Sequence, residues 1–315
     1  MITVIMPVYN EGEFIYQNVC KVDQILRSAC VEHQFLLVDD GSKDQSWQEM
    51  CRLAEDMPQV SIIRLSRNFG KEYALCAALE NAAGDAVVVM DSDLQHPPEL
   101  IPEMVRLWQE EGYDVVEGVK ANRGKESLGS KIAAMSFYRL FRDATRIDIG
   151  VASDFKLMNR SALEAWKQMP ERNTFFRGLS AWVGFKRYAL PFEVAPRAGG
   201  ETKWTLKGLI RLAISSITSY TAAPLFLVFW LGLIVLAAGV VLGIQTLMNY
   251  FLGRAADGFS TVILLQLFIG SGIMISLSII GLYLAKIYDE VKGRPRYLVK
   301  ERRGSAILPN QEPVR

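Results

Sequence analysis

Residues 84–98 read GDAVVVMDSDLQHPP. The apolar, mostly β-branched run at 86–90 has the character of a strand buried on both faces of a parallel sheet. It stops at Asp91-Ser92-Asp93, and Pro97 and Pro98 follow to open a helix. Two carboxylates therefore stand at the carboxyl end of a central strand, the edge at which open α/β sheets bind their ligands. Carboxylates so placed repel each other unless a cation lies between them. Mg²⁺ or Mn²⁺ prefers such oxygens, with a substrate phosphate completing its shell. An isolated Asp-x-Asp is equally compatible with a solvated loop, so the remainder of the chain has to decide.

Working outward, the same strand-then-polar-turn pattern recurs. A strand at 3–6 ends in Pro7-Val8-Tyr9-Asn10-Glu11, and apolar residues at helical spacing follow (Phe14, Ile15, Val19, Val22, Ile25, Leu26). A second strand at 35–38 ends in Asp39-Asp40-Gly41-Ser42, and Asp44 or Ser46 starts a helix through Met57. A third strand at 60–65 closes in Ser66-Arg67-Asn68-Phe69-Gly70-Lys71, with a helix at 72–83. After the 84–98 stretch come a helix at 99–111 and a strand at 115–118. This alternation predicts an α/β fold with a Rossmann-like, mostly parallel sheet and right-handed crossovers. No Gly-x-Gly-x-x-Gly follows the first strand, which argues against the usual dinucleotide fingerprint.

The chain has 315 residues, with 35 Lys plus Arg against 34 Asp plus Glu, and half of its residues are apolar. That charge balance supplies no field for a nucleic-acid partner. Residues 1–200 carry charges throughout, whereas 222–248 and 259–285 carry none. Each uncharged run would be about 40 Å long as a helix, against a hydrocarbon core of roughly 30 Å. The segment 222–288 is therefore read as two membrane spans. The connection between them is short, with Arg254 and Asp257 its only charges, while Lys203, Lys207 and Arg211 precede the first span and a basic tail (289–315) follows the second. The positive-inside rule then puts both ends of the chain, and with them residues 1–200, in the cytoplasm and the short loop outside. Residues 1–8 read as a strand and not as a signal peptide. The four cysteines (Cys20, Cys30, Cys51, Cys76) lack paired spacing, as expected of reduced thiols.

In a parallel sheet the strand-end residues (Asn10 and Glu11, Asp39 and Asp40, Arg67 through Lys71, Asp91 and Asp93) share one edge and make a nucleotide-sized cleft. The acidic pair Asp39-Asp40 can accept from a base N–H or a ribose hydroxyl. Arg67 and Lys71 can neutralise a diphosphate, which Gly70 lets backbone approach. His96, beside a double proline, reads as structural.

The ordered set PVYNE, DDGSKD, RNFGKE and DSDLQHPP resembles the inverting nucleotide-sugar glycosyltransferases of GT-A fold. SDFKLMNR (153–160), PERNTFFRG (170–178) and GETKW (200–204), followed by two spans, are similar to the polyprenyl-phosphate glycosyltransferases. Within these the chain most resembles the bactoprenol glucosyltransferases, with dolichol-phosphate mannose synthases and undecaprenyl-phosphate aminoarabinose enzymes as cousins. The resemblance covers about residues 2–300. It implies a cytoplasmic GT-A domain over 1–200, a nucleotide-sugar donor, UDP-glucose first among the choices, and a membrane polyprenyl phosphate such as undecaprenyl phosphate as acceptor. N-acetylglucosamine, mannose or an aminoarabinose derivative remain alternative sugars. Pro7, Tyr9, Asn68, Ser92 and Gln95 join the donor site on the same ground, and Asp154 is implied beside the anomeric carbon, as acceptor orienter, transition-state stabiliser or base. Ser153 stands where the family often has glycine.

A phosphate acceptor is largely dianionic at neutral pH and needs little help from a general base. The demanding step is departure of the nucleoside diphosphate, whose growing charge a divalent cation can stabilise. Asp93 is the first choice as ligand, with Asp91 reaching the ribose or the metal. Candidate cations for the acceptor phosphate are Arg123, Lys131 and Arg139, beside the apolar face of Ile132, Met135 and Tyr138, and Arg197 and Lys203, which match the family motif. Residues 201–221 have the pattern of an amphipathic helix lying in the membrane interface, with Leu206, Leu209, Ile210, Ala213, Ile214 and Ile217 opposite Lys207 and Arg211. Small residues in both spans (Gly232, Gly239, Gly243; Gly270, Gly272, Gly281) suit close helix packing, so a homo-oligomer, with a tetramer among the forms open to it, is expected. Three rivals are weighed. A processive synthase would carry Gln-x-x-Arg-Trp, and Gln168 is followed by Met-Pro-Glu-Arg172-Asn173 instead. A diacylglycerol glycosyltransferase would need a base for its hydroxyl acceptor. A two-span scaffold that merely binds nucleotide would have no use for Asp93.

Overall fold

The computed structural model describes residues 1–120, 152–169, 171, 176–192, 223–252 and 259–304. Two units are described separately: one comprises residues 1–203 and 295–315, the other residues 204–294.

The first unit opens with β1 (Ile2–Val8), every residue of which is buried. The chain continues through α1 (Ile15–Ser28), β2 (His33–Asp39), α2 (Ser46–Asp56), β3 (Val60–Leu65), α3 (Lys71–Asn81) and β4 (Ala86–Val89). A short 3₁₀ turn at Pro98–Leu100 leads into α4 (Ile101–Glu111), followed by β5 (Val115–Lys120), β6 (Ala152–Asn159), α5 (Arg160–Lys167), α6 (Phe176–Trp182) and β7 (Arg187–Phe192). Among the described residues the strands form one eight-stranded sheet ordered β7-β5-β6-β4-β1-β2-β3 and then β8 (Val299–Arg303).

β1 is parallel to both β2 and β4, and β2 to β3. Helices cover both faces of these strands, so their side chains are buried on either side and their sequences are nearly unbroken apolar runs. α1, α2 and α4 lay one apolar face each on the sheet: Val19, Val22 and Leu26 from α1, Met50 and Leu53 from α2, Met104 and Leu107 from α4. α3 is buried along most of its length, and its small residues Ala74, Cys76, Ala77 and Ala78 let it approach the strands closely. Ser46 opens α2, and Asp44 turns back to accept from Ser46 N (3.0 Å) and Oγ (2.6 Å).

The mostly parallel sheet read from the sequence is present, with two antiparallel insertions. β6 runs antiparallel between β4 and β5, and β8 runs antiparallel on β3. β8 carries no apolar alternation: it reads Val-Lys-Glu-Arg-Arg, a charged strand of the kind that shields a sheet edge from further pairing. The segment before it is tied down as well. Arg296 reaches Glu80 Oε1 (3.2 Å) and Met169 O (2.6 Å), Tyr297 Oη donates to Glu80 Oε2 (2.6 Å), and Ser66 N donates to Leu298 O (2.8 Å).

The second unit contains α7 (Ala223–Phe251) and α8 (Phe259–Val291). Their apolar stretches, Val228–Asn249 and Phe268–Val291, comprise 22 and 24 residues and are long and apolar enough to cross a membrane. Large apolar side chains such as Phe229, Trp230, Ile234 and Leu284 are exposed along them, as suits helices whose solvent is lipid. α8 continues beyond the uncharged run, through Lys286, Asp289 and Glu290. The expected interfacial helix over 201–221 lies outside the described residues.

Replacing Tyr297 with Phe removes one hydrogen bond to a carboxylate and leaves Asn81 Nδ2 without its 3.3 Å partner. The full-length protein in detergent should lose about 1–2 kcal/mol of stability, read as a lowered Tm.

Candidate active site

The loops that follow β1, β2, β3 and β4 meet at the carboxyl edge of the sheet, where hydrogen bonds between loops fix them. Asn10 N donates to Ser42 Oγ (3.0 Å), Glu11 N to Ser46 Oγ (2.8 Å), Gly12 N to Asp44 Oδ2 (3.0 Å), and Lys43 N to Asn10 Oδ1 (3.0 Å). Asp40 accepts from Phe69 N (2.7 Å) and Gly70 N (2.8 Å) and so ties the second loop to the third. Gly70 holds φ +103°, a backbone state that L side chains rarely adopt, immediately before α3. Asn18 Nδ2 donates to Ser92 O (2.7 Å) and steadies the fourth loop.

These loops enclose a cleft of about 260 Å³. Of the residues singled out from the sequence, Pro7, Tyr9, Glu11, Asp40, Asn68, Gly70, Lys71, Asp91, Ser92 and Asp93 line it. Four of the residues read as donor-binding lie off its wall. Asn10 is exposed and spent on the loop bond to Lys43. Arg67 places its guanidinium 4.8 Å from the Phe69 ring centre. Gln95 uses its backbone N–H on Asp93 Oδ1 (3.1 Å). Asp39 is fully buried, with Arg64 Nε 3.1 Å from its Oδ2 and Ser42 N donating to its Oδ1 (2.9 Å). The acidic pair is thus split: Asp39 faces Arg64 inside the fold, and only Asp40 reaches the cleft. Arg123, Lys131, Arg139, Arg197 and Lys203 lie outside the described residues.

Beside the cleft, Lys71 Nζ sits 2.6 Å from Asp91 Oδ1 and 2.8 Å from Asp154 Oδ2. Asp154, on β6, is buried. Arg177 grips it with two prongs, Nε to Oδ1 at 2.7 Å and the terminal nitrogen to Oδ2 at 3.0 Å. Arg177 stands within the PERNTFFRG stretch, yet the sequence reading did not single it out; a basic residue in that motif was the available signal. Burial opposes ionisation of Asp154, but Arg177 and then Lys71 outweigh it and hold the carboxyl well below its ordinary value of 3.8. Burial works against the Lys71 charge too, yet Asp91 and Asp154 push its pKa up to about 12.

Two further carboxyls are shifted the other way. Burial, with Asp93, Asp44 and Asp91 adding to it, pushes Glu11 up. Burial chiefly, and Asp154 next among the raising influences, pushes Glu72 up to about 7, while the Phe176 N–H and the nearby cations oppose it. Among the described residues no three His, Cys, Asp or Glu side chains are grouped to hold a metal ion. Asp91 and Asp93 alone fit an ion that takes its remaining oxygens from phosphate and water, as Mg²⁺ and Mn²⁺ do. His96 is buried and stacked on Phe155, with ring centres 5.2 Å apart and planes 7° apart, and it meets Phe192 edge-on. Ser153, beside Asp154 in the chain, is buried, and its Oγ donates to Gly118 O (2.8 Å) and accepts from Phe155 N (3.2 Å).

A mostly parallel sheet with a carboxylate-edged cleft at its carboxyl edge is the architecture of a GT-A glycosyltransferase. The chain belongs to glycosyl transferase family 2, whose pattern it matches over residues 3–166. It is 38% identical to an uncharacterised glycosyltransferase of Bacillus subtilis, with 96% of this chain and 94% of that one covered. It is 34% identical to the prophage bactoprenol glucosyl transferase homologue of Escherichia coli (95% and 98% covered) and 33% identical to the bactoprenol glucosyl transferase of Shigella phage SfX (96% and 99%). In fold it is similar to glucosyl-3-phosphoglycerate synthase from Mycobacterium tuberculosis, solved with Mn²⁺, uridine diphosphate and phosphoglyceric acid. The TM-score there is 0.50 at 19% identity, over 69% of this chain and 76% of that one.

The raised Glu72 carboxyl has a consequence for stability. The folded group keeps its proton to about pH 7, whereas the unfolded one releases it near 4.5, so the folded state binds more protons across that window. Wild-type stability attributable to this group is full below 4.5 and is lost as pH rises through 7. Glu72→Gln keeps an acceptor for Phe176 N and removes the titration. Its Tm relative to wild type should climb from about pH 4.5 to about pH 7 and then level off, measured by thermal unfolding in detergent.

Proposed function

We propose that the protein transfers a single glucose from UDP-glucose to a polyprenyl phosphate, undecaprenyl phosphate in the first instance. The anomeric centre inverts, and UDP and a lipid-phosphate-linked glucose form at the cytoplasmic face of the inner membrane. The observation that carries this reading is the state of Asp154. A carboxylate gripped by Arg177 and Lys71 is a weak base, poorly suited to taking a proton from a neutral hydroxyl. A phosphate acceptor brings its own negative charge and needs no such proton transfer. Asp154 then orients the acceptor or steadies positive charge at the anomeric carbon.

Pro7, Tyr9, Asp40 and Asn68 would wall the base and ribose. Gly70 and Lys71 would face the diphosphate, with Lys71 adding positive charge as the leaving group departs. Asp91 and Asp93 would hold Mg²⁺ or Mn²⁺, which when bound neutralises charge gathering on the departing diphosphate. The Mn²⁺ and uridine diphosphate bound by the mycobacterial synthase support that choice. The names of the phage and prophage relatives support glucose and a bactoprenol acceptor. The two apolar helices supply a route to a lipid substrate.

A transfer assay in detergent, with undecaprenyl phosphate and a panel of radiolabelled nucleotide sugars, tests the proposal. Label should pass to lipid from UDP-glucose in preference to the other donors, and EDTA should abolish transfer until Mg²⁺ or Mn²⁺ is restored. Asp93→Ala should retain the fold and lose turnover by at least about a hundredfold. Transfer that survives complete metal removal would sink the metal assignment, and label passing to diacylglycerol instead would sink the acceptor.

A further inference from the structure

Arg177 stands on α6, a helix of seven residues. Helices this short are not stable on their own, so its placement is set from outside. At its first residue, Phe176 N donates to Glu72 Oε2 at 2.8 Å. Glu72 is the neighbour of Lys71 at the start of α3. On the face that bears Arg177, Ser180 lies three residues further along, and Lys156 Nζ donates to Ser180 Oγ at 2.6 Å. The same ammonium sits 5.0 Å from the centre of the Phe176 ring. Lys156 is fully buried and paired with Glu117 Oε1 at 3.3 Å. It follows Asp154 by two residues on β6, which puts both side chains on one face of the strand.

The helix that carries Arg177 is thus held at its start by the residue next to Lys71. It is held along its inner face by a residue one strand repeat from Asp154. Burying a lysine and a carboxylate together is costly, and apolar side chains of similar size would pack as well or better. What the polar pair supplies and apolar packing would not is a directional hydrogen bond to Ser180. The Glu72 contact is directional in the same way, and a carboxyl accepts there with or without its proton.

We propose that Glu72 and Lys156 are positioning residues: they seat α6 so that Arg177 meets Asp154 with both prongs, and they act on glycosyl transfer through that seat, not by touching substrate. The proposal rests on the reading of Asp154 as the group beside the anomeric carbon. The test is a pair of double-mutant cycles on full-length protein in detergent. Glu72→Ala and Ser180→Ala, which unties Lys156, are each combined with Arg177→Lys, which keeps the charge and loses the two-pronged grip.

Each alanine variant should lower kcat by about tenfold or more while donor KM stays within about threefold. In the Arg177→Lys background the same changes should add less than about threefold. Glu72→Gln, which retains an acceptor, should recover kcat to within about threefold of wild type. Losses that multiply fully with Arg177→Lys, unchanged kcat in folded alanine variants, or Glu72→Gln as poor as Glu72→Ala would each overturn the proposal. Should Glu72→Ala fail to fold, the Ser180→Ala cycle decides by the same outcomes. Wild-type transfer to undecaprenyl phosphate is read alongside. Its absence would defeat the acceptor assignment, while the cycles remain readable from nucleoside diphosphate released to water.

Discussion

The buried carboxylate of Asp154 and the two cations that grip it tie the catalytic unit together. A lone carboxylate at that depth would be protonated or would unfold its surroundings, because desolvation of the charge costs several kcal/mol. Lys71 and Arg177 offset that cost, and each comes from a different element. β6 supplies the carboxylate, α3 supplies the lysine, and α6 supplies the guanidinium. Lys71 extends the same network to Asp91 at the end of β4. Four separate stretches of chain are thereby held at one point, beside the cleft, by charges that are unfavourable unless all of them are present.

Around that point the strand-end loops fasten one another, and their bonds are mostly from backbone N–H to side-chain oxygen. Asp40, Ser42, Asp44 and Ser46 each accept from a backbone N–H of another loop. Such bonds satisfy backbone donors that the sheet ladder leaves unpaired beyond the strand ends, and they set the cleft's shape before any ligand arrives. The chain beyond α8 contributes from the far side. Its strand covers the free edge of β3, and Leu298 accepts from Ser66, the residue with which the third loop begins. Support of this kind from outside the site lets a cleft built on loops hold the geometry that catalysis requires.

The electrostatic layout divides the cleft into two parts. On one side Asp154 and Asp91 are compensated by Arg177 and Lys71. On the other, Glu11 and Asp93 line the cleft together, and burial first, then Asp93 and the other nearby carboxylates, push the Glu11 carboxyl up. Asp91 stands where the two parts meet, paired with Lys71 and two residues from Asp93, so positive charge added to the cleft would act on both carboxylates. That layout makes an oxygen-seeking ion carrying phosphate a natural occupant.

Much of this was legible in the sequence, and the reasons are physical. Strands buried on both faces must be apolar throughout, so β1 to β4 announced themselves. Loops at the carboxyl edge of a parallel sheet must be polar, so the order of the four motifs located the cleft. Two uncharged runs long enough to span a bilayer could hardly be anything but α7 and α8. What the sequence left open turned on register and partners. Asp39 and Asp40 are adjacent, and side chains alternate along a strand; the pairing of Asp39 with Arg64 across β2 and β3 sends the first inward and leaves the second for the cleft. Lys156 would pass for a solvent-facing lysine until Glu117 and Ser180 are seen to meet it in the interior. β8 has no apolar pattern and is a strand only because β3 offers it an open edge. Composition and spacing determined the elements from β1 to β5, the two apolar helices, and where the ends of the first four strands gather. Tertiary structure decided which charges at those ends face one another, because a charge is assigned its role by its nearest neighbours, and those come from distant parts of the chain.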